Sequence, residues 1–133
     1  MNWARLALAA IVAGTSVSLT DWLFFGVLFH EKYQVYPEVW RMSQEGINRT
    51  VWIILGYVTC AVFVFACARL NVHGYSAPLR VALWMWVAVA LPIVVSDALF
   101  IKLHPLVVVA HGLGWLTRLA VAAICVGLFL PKS

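Results

Sequence analysis

Residues 50–68 read TVWIILGYVTCAVFVFACA, nineteen positions without a charged side chain. A hydrocarbon layer about 30 Å thick is crossed by about 20 apolar residues at about 1.5 Å rise each, so this run is long enough to span it. Inside lipid only a helix or a closed barrel satisfies its own backbone, and the run lacks the apolar–polar alternation of a barrel strand. It therefore predicts a transmembrane helix. Three more runs read the same way: residues 6–29 with Asp21 as their one charge, residues 81–101 with Asp97, and residues 106–130 with His111 and Arg118 inside them. The first run stays apolar through Phe29 instead of ending after the small residues Ala13 and Gly14, so a span is expected rather than a cleaved leader. The expected fold is an all-α membrane protein, with four transmembrane helices in an antiparallel bundle forming a single transmembrane domain over residues 1–133.

Composition agrees with that reading. The chain is 65% apolar and 11% charged, whereas a soluble domain of this size needs roughly a quarter of its residues charged. The net charge of +4 comes from nine Lys and Arg scattered singly, with no basic run to bind nucleic acid. The partners expected are the lipid bilayer and either a second copy or another membrane protein.

The connections set the topology. Residues 30–49 carry alternating charges, with Tyr33, Tyr36, Trp40 and Trp52 in or beside them. Pro37 before Glu38 and Gly46 further on read as a proline start and a glycine stop, predicting a short interfacial helix over 37–45. Residues 71–78 are rich in turn formers, and residues 102–105 make a hairpin too tight for the last two helices to separate. One side of the membrane receives Arg5, Arg69, Arg80 and Lys132, and the other receives Lys32, Arg41, Arg49 and Lys102. The positive counts nearly tie, but the side holding both termini has no acidic residue, which favours both termini in the cytoplasm.

The ends of the first and third helices echo each other: Thr20-Asp21-Trp22-Leu23-Phe24-Phe25 against Ser96-Asp97-Ala98-Leu99-Phe100-Ile101. Those helices run the same way, so the echo suggests a parallel repeat of two helix pairs, with chance matching in an apolar alphabet as the other reading.

Depth carries more information. At about 1.5 Å per residue, Asp21 lies roughly 22 Å along the first helix, Asp97 roughly 24 Å along the third, and His111 roughly 8 Å below the start of the fourth. Arg118 sits mid-helix with its side chain reaching toward the same slab. A lone charge there costs at least about 2.5–3.5 kcal/mol, so such groups face the bundle and pair. Asp21, Asp97, His111 and Arg118 are thus the candidate intramembrane polar site. In one reading Arg118 neutralises an aspartate and fixes helix register; in the other the set binds a ligand, proton or ion, because two carboxylates outnumber one guanidinium. Arg118 is expected to contact Asp97, or failing that Asp21, although the axial offset to Asp97 is about 12 Å and the side chain reaches on the order of 6–7 Å.

Other chemistry is less well supported. Cys60, Cys67 and Cys125 form no CxxC pair and read as small apolar residues. His30, His104 and His111 with Asp21 and Asp97 could converge on a metal or haem, but no ligand spacing argues for it, so no metal or cofactor is expected. Nothing resembles a nucleophile elbow, a phosphate loop or a zinc-protease helix, so no enzyme is expected. Ala10, Gly14 and Ser18, four apart, predict a close-packing stripe on the first helix, and Gly112 and Gly114 the same on the fourth. Trp84 and Trp86 fall on different faces of the third helix.

The Met1-Asn2-Trp3 opening, the small-residue first helix with its Asp21-Trp22-Leu23-Phe24-Phe25-Gly26 end, the Tyr36-Pro37-x-x-Trp40-Arg41 loop and the Ser96-Asp97-Ala98-Leu99-Phe100 end of the third helix together resemble small bacterial four-helix integral membrane proteins of a domain-of-unknown-function family. The resemblance spans most of the chain. It implies a bacterial cytoplasmic membrane and transfers no site residues. Small multidrug exporters carry an embedded Glu in the first helix, where this chain has only Asp21, placed late; the Gly-rich Arg motif of fluoride channels is absent. The expected role is a non-enzymatic accessory or oligomeric membrane subunit, with a small transporter or channel using the polar site as the alternative.

Overall fold

The computed structural model describes residues 2–28, 31 and 45–130. Among them stand four helices long and apolar enough to cross a membrane, with no strand. The first runs Trp3–Asp21 and continues in a wider π-type coil over Trp22–Leu28. The second is Glu45–Arg69 and the fourth Pro105–Phe129. The third, Ser76–Phe100, is α-helical at both ends and π-type over Trp86–Ala90. Pro92 accounts for that widening. It has no N–H to donate, and its ring crowds the carbonyl four residues back, so the Leu91 N–H donates to the Trp86 carbonyl five residues away.

The helices reach beyond the apolar runs, being helical already at 45, ahead of 50, and at 76, ahead of 81. Hydropathy marks only the hydrocarbon core, whereas a helix goes on satisfying its backbone through the headgroup layer. The interfacial helix expected over 37–45 lies outside the described residues except for Glu45, the first described residue of the second helix. Gly46, read from sequence as a stop, is inside that helix. A helical glycine costs about 1 kcal/mol, less than leaving backbone groups unpaired near the membrane surface.

The turns have identifiable local causes. The second helix ends in a Schellman motif: Asn71 takes the left-handed conformation at φ 56°, Val72 N–H donates to Cys67 O at 2.8 Å and Asn71 N–H to Ala68 O at 3.3 Å. Gly74, at φ 75°, supplies the second reversal. The fourth helix opens at Pro105 and is capped by His104, whose Nδ1 accepts from Leu106 N–H at 3.1 Å.

The fourth helix is the hub, packing against the other three, and the first also packs on the second. Half of its apolar window is buried, against 17% for the third helix. Its buried face is built of small residues such as Ala110, Gly112, Gly114, Ala122, Ala123 and Gly127, which let neighbouring backbones and rings come close. Tyr75 packs so tightly on Gly127 that a Cβ there would overlap its ring. The three cysteines are free and buried, and they pack in the core cluster with Val64, Phe63 and Leu119.

The stripe on the first helix is displaced slightly from its expected position. Leu6, Ala9, Ala13, Gly14 and Val17 form the buried face, while Ala10 and Ser18 sit half-buried at its edge. Gly14 is the close approach: a Cβ there would overlap the Tyr57 ring, whose hydroxyl is hydrogen-bonded to Thr15 Oγ1 at 2.8 Å. On the third helix, Trp84 is 71% exposed. Trp86 turns inward instead and donates from Nε1 to Gly112 O at 2.8 Å.

Candidate functional site

The fourth helix repeats at i, i+4, i+7: His111, Trp115 and Arg118 lie on one face, and Gly114 sits between them. The first helix contributes Asp21 and Phe25, one turn apart, and the second contributes Trp52. These side chains meet in the half of the bundle away from the termini and line a cavity of about 270 Å³.

Arg118 is its centre. The residue is 1% exposed, and its Nη2 donates to Asp21 Oδ2 at 2.5 Å. The same oxygen accepts from Trp52 Nε1 at 3.0 Å. The guanidinium carbon lies 4.3 Å from the centroid of the Trp52 ring and 4.7 Å from that of Trp115. The two indoles meet edge to face at 6.0 Å and 89°. A cation against an aromatic face gains up to about 2 kcal/mol when desolvated, so the indoles offset part of the cost of burying this charge. Arg118 Nη1 is buried without a hydrogen-bond partner among the described residues.

The far wall is aromatic. Phe25 meets the His111 ring edge to face at 5.5 Å and 90°. It also covers Gly114 so closely that a Cβ there would come within 3.1 Å of Phe25 Cζ. A side chain at position 114 would take up the space the cavity occupies.

The structure brings Asp21, His111 and Arg118 together around one cavity, whereas Asp97 is not part of its lining. The expected first partner of Arg118 was Asp97; the partner found is Asp21. Axial distance favours the exchange. Arg118 is thirteen positions from Pro105, about 20 Å, and Asp97 is three from Phe100, about 5 Å, leaving about 15 Å between their levels. Helical side chains lean toward the N-terminus, which lowers the guanidinium to the level of Asp21, about 10 Å from the end of its own helix. Asp97, half-buried on the third helix, lies within electrostatic range of His111 instead. The two echoed Asp-x-Leu-Phe ends therefore stand in different surroundings.

Four contributors were missed in the sequence reading: Phe25, Trp52, Gly114 and Trp115. Trp52 looks like a headgroup aromatic by position, yet its N–H is spent on a carboxylate. The usable signal was the i, i+4 spacing of Phe25 from Asp21 and the one-turn spacing of Trp115 from Arg118. Among the described residues no group of three His, Cys, Asp or Glu gathers to hold a metal ion; His104 is committed to its cap, and His30 lies outside the described residues. A second cavity of about 440 Å³ lies near the termini, lined by Asn2, Arg69, Asn71 and His73 among others. No protein-family model, curated protein or solved structure matches the chain.

Proposed function

We propose that the chain is a non-enzymatic membrane subunit that holds a small, uncharged amphiphile in the aromatic cavity beside Arg118. The observation behind this reading is the pairing of Arg118 with Asp21 at the cavity wall. The pair makes the lining electrically balanced. Asp21, its one carboxylate, is held by both Arg118 and Trp52, which leaves it poorly poised as a general base or as the free carboxylate of a cation path. Asp97, which a transporter or channel reading needs as the second carboxylate, stands outside the lining. That favours binding over conduction.

The subunit part of the reading draws on the third helix, whose large apolar residues, including Leu99 and Phe100 at 73% and 85% exposed, offer a face to lipid or to a neighbouring membrane protein. The membrane proposed is a bacterial cytoplasmic one with both termini in the cytoplasm, supported by the family resemblance and by the acid-free basic set at the terminal side.

The test is to purify the chain from its membrane, denature it and analyse the released small molecules by mass spectrometry, alongside the Gly114→Leu variant. The wild type should release a compound enriched over bulk lipid, and the variant, whose added side chain enters the cavity, should release little. Equal yields from both proteins, or bulk lipid alone from the wild type, would overturn the reading.

A further inference from the structure

We infer that the second cavity, near the termini, binds the phosphate of an anionic phospholipid. It shares no lining residue with the Arg118 cavity and holds about 440 Å³, within the roughly 300–1,000 Å³ of pockets that enclose ligands.

Charge is the first argument. The five Asp and Glu of the chain are Asp21, Glu31, Glu38, Glu45 and Asp97, and all belong by sequence to the opposite ends of the helices or to the loop joining the first two. Arg69 lines the cavity. It is the last residue of the second helix, is exposed, and pairs with no carboxylate among the described residues. Arg5 and Arg80 stand exposed at the same end of the bundle. Positive charge without a counter-charge at a membrane surface draws anionic headgroups.

Polarity is the second. Asn2 Oδ1 already accepts from Arg5 N–H at 3.2 Å, which leaves the amide nitrogen of Asn2 as a donor. His73 is half-buried, and its Nδ1 is buried without a partner among the described residues. An unpaired buried N–H is disfavoured more than an unpaired acceptor, so the ring keeps its proton on Nε2 and donates from that edge. Asn71 adds an exposed amide. The carbonyls of Cys67 and Ala68, which would oppose an anion, already accept from Val72 and Asn71. The donors come from the start of the first helix, the end of the second and the loop after it. A phosphodiester, with its oxygens in a tetrahedral array, meets such a spread better than a planar carboxylate.

Place is the third. The cavity lies where helices end, at the level of the headgroups, and Ala68 and Leu130 make part of its wall apolar. Trp3 and Leu70, chain neighbours of Asn2 and Arg69, are 66% and 71% exposed. An aromatic at the interface and a leucine toward hydrocarbon suit an occupant with a charged head and apolar chains. Free phosphate gains nothing from either.

The test is native mass spectrometry of the full chain in detergent, titrated separately with dioleoyl phosphatidylglycerol, dioleoyl phosphatidylcholine, oleate and inorganic phosphate. One phosphatidylglycerol per chain should be retained, ahead of phosphatidylcholine, whose trimethylammonium group finds no carboxylate here. Retention should fall about fivefold in Arg69→Gln, and as much in Leu130→Trp, which fills the cavity without changing charge. Arg80→Gln removes the same charge from the same end but no lining side chain, and should change retention little. A thermal melt identifies the folded variants, and either cavity variant alone decides. Equal losses in Arg69→Gln and Arg80→Gln would mean diffuse attraction and overturn the inference. Equal retention of the two lipids, oleate ahead of phosphatidylglycerol, or inorganic phosphate bound as tightly as the lipid would each overturn it as well. None of these outcomes bears on the Arg118 cavity, so the two readings stand or fall separately.

Discussion

Removing Arg118 should damage the protein chiefly through what it leaves behind. In Arg118→Leu the Asp21 carboxylate, whose side chain is 12% exposed, keeps only the Trp52 N–H at 3.0 Å. Stranding one member of a buried pair costs about 3–5 kcal/mol. Asp21→Asn should cost less, about 2–3 kcal/mol, because the guanidinium keeps its two indole faces. The double change Asp21→Asn with Arg118→Leu strands nothing. Its cost, about 3 kcal/mol, comes from the lost indole contacts and from imperfect packing of the shorter side chain. The singles then sum to about 6–7 kcal/mol, and the coupling is about 3 kcal/mol, at the upper end for residues in contact. The assay is reversible unfolding in mixed micelles as the fraction of dodecyl sulfate rises, followed by loss of helical circular dichroism. The control is Arg118→Leu with Asp97→Asn, which should be additive within about 0.5 kcal/mol, because Asp97 stands outside the cavity that Arg118 lines. Additive losses for positions 21 and 118, or coupling for 97 and 118, would refute the assignment of the pair.

The remaining predictions follow from single contacts. Gly14→Leu should destabilise the bundle by about 2–3 kcal/mol in the same unfolding assay, since even a Cβ overlaps Tyr57; an unchanged midpoint would mean that this helix face meets lipid. Trp52→Phe removes the second donor to Asp21 Oδ2 while keeping a ring against the guanidinium, and should cost about 1–2 kcal/mol. That loss should vanish in an Asp21→Asn background if the N–H acts through the carboxylate. For topology, a single Cys introduced at Ser133, with Cys60, Cys67 and Cys125 replaced by Ala, should resist a membrane-impermeant thiol reagent in intact cells; rapid labelling would put the termini outside.

Four spans, their order and their antiparallel run could be read from residues 6–29, 50–68, 81–101 and 106–130 because burial in lipid is a local requirement. Each helix must satisfy its own backbone and present apolar surface on every side, and both demands are written in consecutive residues. The same holds for the burial of Arg118: a charge in the middle of an apolar run has to find a partner, wherever that partner is. Tertiary structure alone decided which partner. Asp21 and Asp97 sit in near-identical sequence contexts at the same end of parallel helices, and nothing local separates them. The choice depends on the level at which each helix enters the membrane, on the lean of the Arg118 side chain toward Pro105, and on which helices adjoin the fourth at that level. The cavity belongs to the same category. Trp52, Phe25, Gly114 and Trp115 come from three helices, and their convergence is a property of packing angles that no single run of sequence contains.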